Sequence, residues 1–304
     1  MEQLKQNDET LKDVLLGIFC DIDDFCKDFE EYWHTLLVTD GRRIIPKCAM
    51  SLAEIMTIVV FFHLSGQRTF KWYYNNLICG FMKDCFPKRL SYNRFVELMQ
   101  SAIVPLTVYT MGNRLGKCSG ISFVDSTSID VCHPKRISRN KVFENIAKIG
   151  KTTSGWFYGF KLHLTINDQG EILSFYLTSG NVDDRNEEVM EKLTKDMFGK
   201  LFGDRGYISK KLFDKLWEKD IHLVTGIKKN MKNRLMDMTD KILLRKRSII
   251  ETVNDFLKNI CQIEHSRHRS PRNFLVNLLS AIVAYSFLPK KPSLSFGKSF
   301  LLLA

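Results

Sequence analysis

The chain of 304 residues is long enough for two domains, and 44% of its residues are hydrophobic, which excludes a disordered chain. The net charge of +11 is unevenly distributed. Residues 227–304 carry 15 basic and 5 acidic side chains, whereas residues 1–50 carry 6 and 11. Residues 51–120 carry 8 basic and 3 acidic side chains, and residues 121–226 carry 16 and 15. The near-neutral segment 121–226 thus lies between two basic segments, which suits a protein that binds a polyanion, although many other proteins are equally basic.

Targeting signals are not evident in the sequence. The first ten residues are polar and acidic, unlike a signal peptide, and no apolar run reaches the length of a membrane span. The eight cysteines form no C-x-x-C pair and lie in apolar segments, which is typical of reduced core thiols. We therefore expect a cytosolic protein with no membrane association.

The first fifty residues predict an amphipathic helix. Apolar side chains recur at spacings of four and three, and the opposite side of the helix is acidic, which does not suit contact with DNA. This stripe could form a coiled coil between two copies, but packing on the following helices is the commoner arrangement. The stripe consists of Leu11, Leu15, Ile18, Ile22, Phe25, Phe29 and Tyr32.

Residues 51–117 predict a group of short helices. Ser51 and Glu54 have the spacing of a capping box, which begins a helix that continues to about Leu64, before Gly66.

A second helix is predicted from Thr69 to about Cys79, and Ser91 caps a third. Three short helices rich in basic and aromatic residues resemble a helix-turn-helix-like DNA-binding region, with an ordinary helical bundle as an equal alternative. If the region binds DNA, the expected contacts are Lys71, Arg89 and Arg94.

From Ile121 onward the pattern becomes that of strands. Trp156–Ile166 and Glu171–Thr178 predict a hairpin around the turn at residues 167–170. Alternating helices and strands follow, at Asn186–Met197, Lys200–Gly203, Ser209–Lys219, Ile221–Thr225 and Leu243–Ile260.

Three carboxylates occupy informative positions in this region. Asp125 ends the apolar run 121–124, Asp204 follows a second run inside the turn Gly203–Tyr207, and Glu251 lies on the predicted helix. Magnesium and manganese prefer oxygen ligands, and two such ions can activate a water or a 3′-hydroxyl while stabilising a leaving oxygen. Taken singly, Asp125 could cap a turn and Glu251 could be an ordinary solvated side chain. Together they predict a metal site.

The element order predicts an α/β fold, with an RNase H-like mixed sheet flanked by helices and preceded by an all-helical DNA-binding region. The predicted segments are an N-terminal helical segment, a helical DNA-binding region, a catalytic domain and a tail, at residues 1–50, 51–117, 118–292 and 293–304.

Residues 121 to about 292 resemble a bacterial insertion-sequence transposase of the DDE type and are most like the insertion sequence 982 family. The carboxylates are 79 and 47 residues apart, as in that family. The motifs that carry the resemblance are Val124-Asp125-Ser126-Thr127, Gly159-Phe160-Lys161-Leu162-His163, Gly203-Asp204-Arg205-Gly206-Tyr207, Arg247-x3-Glu251-x6-Lys258 and Ser266-Arg-His-Arg-Ser270.

This resemblance implies that Asp125, Asp204 and Glu251 are the catalytic metal ligands for Mg²⁺ or Mn²⁺, with two ions. It also implies that Arg247 and Lys258 lie near the DNA backbone. On one regular helix these two would share a face with Glu251, so pairing with that glutamate is the alternative. Further phosphate contacts are expected at Arg205, Arg267 and Arg269.

Two nearby motifs leave their roles open. His163 is as well explained as a core histidine as it is as a neighbour of the active site. Asp183 and Asp184 could support the metal site, but a turn before the next helix is slightly preferred.

The function implied by the resemblance is that of a transposase. It would bind the terminal inverted repeats of its own element, cleave DNA strands, and join the 3′-hydroxyl ends to target DNA by transesterification. Its partner would be double-stranded DNA, and it would act as a homodimer. The alternatives are an RNase H-like nuclease without strand transfer and a catalytically inactive DNA-binding regulator.

Overall fold

The structure is a computed structural model, and it describes residues 2–39, 49–153, 155–227, 231, 235–264 and 268–294. The chain divides into two compact units. The first is helical and combines the N-terminal part, up to Arg114, with residues 259–263 and 268–287. The second is built on a sheet and contains residues 115–258, 264–267 and the C-terminal part from Leu288.

The described residues of the helical unit form six α-helices, with π-helical turns at Tyr73–Phe81 and Thr110–Arg114 and a 3₁₀ turn at Met99–Ala102. The α-helices are α1 (Glu2–Thr39), α2 (Leu52–Leu64), α3 (Phe70–Trp72), α4 (Tyr92–Leu98), α5 (Ile103–Tyr109) and, from the far end of the sequence, α10 (Pro271–Ser286).

Local sequence explains where these helices begin. Ser51 and Glu54 form the predicted capping box, and Gly66, just after α2, has a positive φ of 69° that favours glycine. The hydroxyl of Ser91 caps α4 by accepting a hydrogen bond from the backbone N–H of Arg94. These predicted helix ends are confirmed.

The core of the helical unit joins α1, α2 and α10. Leu15, Ile18, Ile22 and Phe29 of the predicted stripe are buried. The prediction was wrong for Tyr32, whose side chain is 64% exposed, because the buried contacts of the described stripe end one turn earlier, at Phe29. The described part of α10 is buried on most of its surface, so this helix supplies core to the helical unit.

The second unit contains six strands and four helices. They are β1 (Ile121–Cys132), β2 (Lys148–Thr152), β3 (Gly155–Asn167), β4 (Ile172–Ser179), α6 (Glu187–Leu193), β5 (Gly199–Gly203), α7 (Lys210–Trp217), β6 (Ile221–Thr225), α8 (Met238–Lys246) and α9 (Ser248–Asp255).

The sheet is mixed, and its strand order matches the predicted fold class. The order is β2-β3-β1-β5-β6, and β4 pairs with β3 as well. β3 is antiparallel to β1, and both β2 and β4 are antiparallel to β3. β5 and β6 are parallel to β1. An antiparallel meander continued by parallel strands with crossover helices is the RNase H-like arrangement, so the α/β fold class is confirmed.

The two faces of this sheet differ. Val124 and Leu201 point to the face covered by α6 and α7, where they pack in a buried cluster with Val189, Leu212 and Tyr207. Phe123 and Phe202 point to the other face, with ring centroids 5.5 Å apart. Because side chains alternate along a strand, Asp125 lies on the same face as Phe123.

The predicted helix Leu243–Ile260 was wrong as a single element. The chain forms α8 and α9 with a break at Arg247, where the N–H of Ile250 donates to the carbonyl of Arg247, only three residues back. A π-helical turn, Phe256–Ile260, then extends α9. The tighter turn and the wider one rotate side chains away from the positions of a regular helix.

The division of the sequence into a DNA-binding region, a catalytic domain and a tail remains a prediction. Residues 271–286 were assigned to the catalytic domain, but α10 packs in the helical unit. No helix in the part of the chain that the structure describes combines the length and apolar character that a membrane crossing needs.

Candidate catalytic centre

Asp125 lies in the middle of β1, not at the end of a strand as expected. The strand continues through Ser126-Thr127-Ser128 because these residues pair with β3 instead of forming a turn. The parallel pairing with β5, however, ends at Phe123 and Phe202. Asp125 therefore lies just beyond the last residue of β1 that pairs with β5, so no residue of β5 is paired beside it.

Asp204 follows β5 directly, as predicted. It begins a short 3₁₀ turn, and its Oδ1 accepts a hydrogen bond of 2.7 Å from the N–H of Gly206. By alternation from Phe202, Asp204 lies on the same face of the sheet as Asp125. The parallel pairing of β1 and β5 thus brings together two carboxylates that are 79 residues apart in sequence.

Helix α9 packs over β1 and contributes the third carboxylate. The Nδ2 of Asn254 donates to the Oδ2 of Asp125 at 3.1 Å, which attaches the helix directly to the strand carboxyl. Glu251 lies one turn earlier on α9, and its Oε1 accepts from the guanidinium of Arg247 at 2.7 Å. The pairing between Arg247 and Glu251 that was kept as an alternative is therefore present.

The charges of Asp204 and Glu251 both act on the carboxyl of Asp125. The pKa of Asp125 is raised to about 6, mainly by burial and to a smaller extent by these two charges. The guanidinium of Arg247 and a backbone hydrogen bond at Ser126 oppose this rise in the pKa. A half-buried carboxyl with two acidic neighbours is unfavourable as an anion unless a cation offsets the charge.

These residues fit a divalent ion by their chemistry, since all three supply the carboxylate oxygens that Mg²⁺ and Mn²⁺ prefer. Their oxygens do not converge as the side chains stand: among the described residues, no group of three or more His, Cys, Asp or Glu forms a ready metal site. Glu251 is directed to Arg247, and Asp204 to the backbone of its own turn. An ion would have to compete with both contacts.

The opposite face of β1 and β3 carries a second polar cluster. The Oδ1 of Asp184 accepts from Ser126 at 2.8 Å and from Lys161 at 3.0 Å. His163 is fully buried, and its Nε2 lies 2.9 Å from the hydroxyl of Thr178. Burial, together with the nearby charge of Lys161, lowers the pKa of His163 to about 4, against the opposing effect of Asp184. The core interpretation of this histidine is thus the better one.

Asp183 and Asp184 have separate roles. The carboxylate of Asp183 accepts hydrogen bonds from the N–H and the guanidinium of Arg185, and its carbonyl accepts one from the N–H of Asn186. These bonds form the predicted turn before α6. Asp184 instead supports the strand on which Asp125 lies.

Two residues near the centre were missed by sequence reasoning. Asn254 could have been found from its spacing, because it lies three residues after Glu251 and so on nearly the same helix face. Tyr207 ends the turn that begins at Gly203, and its buried hydroxyl has no hydrogen-bond partner among the described residues. Burial raises the pKa of Tyr207 well above its usual value, and Asp125 and Asp184 add to this rise.

The predicted DNA contacts of the helical unit are on its surface, but two have intramolecular partners. The ammonium of Lys71 lies 5.8 Å from the ring centroid of Tyr92. The guanidinium of Arg89 donates to the carbonyl of Lys83, and that of Arg94 pairs with Glu97 at 2.9 Å. Lys71 is therefore the least constrained of the three.

The remaining predicted contacts differ in exposure. Arg205 is exposed in the turn after Asp204, and Arg269 is exposed in the helical unit. Lys258 lies in the π-helical turn and pairs with Glu264 at 3.5 Å rather than with Glu251. Arg267 lies outside the described residues.

Comparison with known proteins identifies one family model and several similar solved structures. A family model described as a transposase DDE domain matches residues 115–271. A solved structure, the cryo-EM structure of a piggyBac transposase synaptic complex with hairpin DNA, is similar at 8% sequence identity and a TM-score of 0.45, and the similarity covers 89% of this chain and 72% of that one. No curated protein matches the chain. Because the family model spans more than half of the sequence, this chain belongs to the DDE transposase family and is a DNA transposase.

Proposed function

We propose that this transposase cleaves DNA at the terminal inverted repeats of its own insertion element and joins the exposed 3′-hydroxyl ends to target DNA. The observation that carries the proposal is the meeting of Asp125, Asp204 and Glu251, from two parallel strands and one helix, on a single face of the sheet. Assignment to the insertion sequence 982 family is part of the same proposal.

In this proposal the three carboxylates hold two divalent ions, Mg²⁺ or Mn²⁺. When bound, such ions activate a water or a 3′-hydroxyl and stabilise the leaving oxygen of the scissile phosphodiester. Transposase DDE domains generally depend on a divalent metal, which supports the presence of a divalent ion at these carboxylates.

The surrounding side chains orient the ligands and the DNA. Asn254 donates to Oδ2 of Asp125 and so fixes the plane of that carboxyl. Arg247 is the cation nearest to Glu251, and once Glu251 turns to an ion the guanidinium is free to contact a phosphate of the DNA. Such a contact positions the DNA without reading its sequence.

Sequence-specific binding is assigned to the helical unit. Its DNA-facing residues in this proposal are Lys71, Arg89 and Arg94, with Arg269 as a further phosphate contact. Binding to the element ends as a homodimer, in the bacterial cytoplasm, completes the proposed activity.

The experiment is a strand-cleavage assay with the purified chain, Mg²⁺ and end-labelled DNA that carries both ends of the element. Asp125→Asn, Asp204→Asn and Glu251→Gln should each abolish cleavage while leaving binding to the element ends within about twofold of wild type. Asp214→Asn, at an exposed carboxylate on α7, is the matched control and should cleave normally.

The products separate the alternatives. Joined products that disappear in EDTA support a transposase, whereas hydrolysed ends without joined products indicate a plain nuclease. Binding of the element ends without any cleavage indicates an inactive regulator. Wild-type cleavage by any one of the three variants would remove that residue from the centre.

A further inference from the structure

The hairpin formed by β2 and β3 exposes a large aromatic side chain. Trp156 is 65% exposed and Ile149 is 51% exposed. Lys151 is the register partner of Trp156, and its ammonium lies 5.3 Å from the centroid of the indole ring. We call these three side chains the hairpin face.

The neighbouring segment, residues 133–147, covers the same side of β3. The hydroxyl of Tyr158 donates to the carbonyl of Phe143 at 3.2 Å, and the ring of Phe143 packs against that of Phe160 at 5.8 Å. Since positions 156, 158 and 160 alternate to one face, this segment and the hairpin face lie on the same side of the sheet.

This side is strongly positive. Glu144 is the one acidic residue between positions 133 and 153, and it pairs with Lys141 at 3.0 Å. Among the described residues, no carboxylate forms an ion pair with any of the other five cations in that range. Five exposed cationic side chains belong to this segment and the hairpin face: Lys135, Arg136, Arg139, Lys141 and Lys151. Lys148 is also exposed, but it points to the opposite face of the sheet, because it directly precedes Ile149 on β2.

The register of the sheet relates the hairpin face to the catalytic centre. Asp125 pairs with Leu164 of β3, and Trp156 lies eight residues earlier on the same strand, on the same face. At about 3.3 Å per residue, the two positions are roughly 26 Å apart along the strand. A DNA strand with the 3.4 Å step of a duplex would need about eight nucleotides to reach Trp156 from the catalytic centre along this face. An unpaired strand is more extended, so it would reach Trp156 within about eight nucleotides.

We infer that the hairpin face binds an unpaired DNA strand that continues from the duplex at the catalytic centre. The exposed cations contact the phosphates of that strand, and the indole of Trp156 stacks on one of its bases. A base in a duplex is covered by its neighbours on both sides, so an exposed aromatic plane fits a base that is not stacked in a duplex. The inference rests on the proposed function only in placing DNA at Asp125.

The test measures equilibrium binding by fluorescence anisotropy, with the full chain in EDTA so that no cleavage occurs. The probes are a blunt duplex of the element end and the same duplex extended by a single strand of about 12 nucleotides or about 3 nucleotides. Trp156→Ala is compared with Trp217→Ala, a matched control because Trp217 is 60% exposed on α7. The neighbouring lysines there, Lys211, Lys215 and Lys219, are paired with Glu187 and Glu191.

For Trp156→Ala we expect a loss of about 5- to 150-fold in affinity for the DNA with the long extension, the range for stacking of one base. Its affinity for blunt DNA and for DNA with the short extension should stay within about twofold of wild type. Trp156→Phe should restore most of the loss, because a phenyl ring still stacks. Arg136→Ala should reduce the salt dependence of binding only with the long extension.

Several results would overturn the inference. One is wild-type protein that binds extended and blunt DNA equally. Another is a Trp156→Ala variant that loses affinity for both DNAs alike, or for neither. Because binding is measured without divalent ions, failure here leaves the proposed cleavage activity intact, and inactivity in the cleavage assay leaves this result intact.

Discussion

Replacing Asp125 by asparagine should stabilise the metal-free protein at neutral pH. In the folded protein the pKa of Asp125 is raised from 3.8 to about 6, mainly by burial. A raised pKa means that the folded state binds the proton more tightly than the unfolded state does. The wild-type protein therefore has its full stability below about pH 4 and loses part of it as the pH rises to about 6.

The magnitude follows from the shift. About two pKa units at 1.36 kcal/mol each give about 3 kcal/mol lost from the wild type above pH 6, as an upper estimate. Asparagine is neutral at every pH and keeps an oxygen for the amide of Asn254 to contact. For a cooperative unit of 150–250 residues, this corresponds to a Tm about 6–12 °C higher for Asp125→Asn at pH 8.

The assay is thermal unfolding in EDTA from pH 4 to pH 8, followed by circular dichroism, with Asp214→Asn as the control. The increase in Tm caused by Asp125→Asn should vanish near pH 4, and the Tm of Asp214→Asn should equal that of the wild type at every pH. In excess Mg²⁺ the wild type should gain stability and the variant should not, because the ion binds the folded state of the wild type alone. An Asp125→Asn variant that is less stable than wild type at pH 8 in EDTA would refute this electrostatic reasoning.

Three further predictions concern the residues around the centre and the helical unit. Arg247→Ala should slow single-turnover cleavage by orders of magnitude without changing sequence preference, and Arg247→Lys should remain defective. A normal cleavage rate would mean that Arg247 only pairs with Glu251 on the helix surface. Asn254→Ala removes a hydrogen-bond donor to Asp125, so the acid limb of the cleavage pH profile should move to higher pH, and an unmoved profile would count against a role for that contact in cleavage. The slope of log affinity for the element ends against log salt concentration should fall in magnitude by about one in Lys71→Ala and in Arg94→Ala. The control Lys27→Ala, on the acidic helix α1, should keep the wild-type slope. Wild-type slopes in all three variants would mean that DNA does not contact Lys71 or Arg94.

Most of the fold was predictable because local signals in this sequence agree with the tertiary structure. The hairpin of β3 and β4, the capping box of α2 and the strand before Asp204 follow from local sequence patterns. The course of β1 was not predictable, since Ser126-Thr127-Ser128 has the composition of a turn. Pairing with β3 supplies the hydrogen bonds that keep this segment extended, and no local pattern reports a partner nearly forty residues away.

The candidate centre shows the same division. The three carboxylates could be selected from sequence because their chemistry and positions are distinctive. Sequence patterns could not predict the break at Arg247 or the π-helical turn at Lys258, because both depend on how α8 and α9 pack. The partner of Lys258 therefore differs from the one expected of a regular helix, and the role of Asn254 appears only when the helix is placed on β1.

The central proposal is that Asp125, Asp204 and Glu251 form a single divalent-metal site. Binding of Mn²⁺ to the purified chain, measured by electron paramagnetic resonance without DNA, tests this claim directly. Each of Asp125→Asn, Asp204→Asn and Glu251→Gln should weaken Mn²⁺ binding by at least about tenfold, whereas Asp214→Asn should bind Mn²⁺ as the wild type does. Wild-type Mn²⁺ affinity in any one of the three variants would contradict the claim.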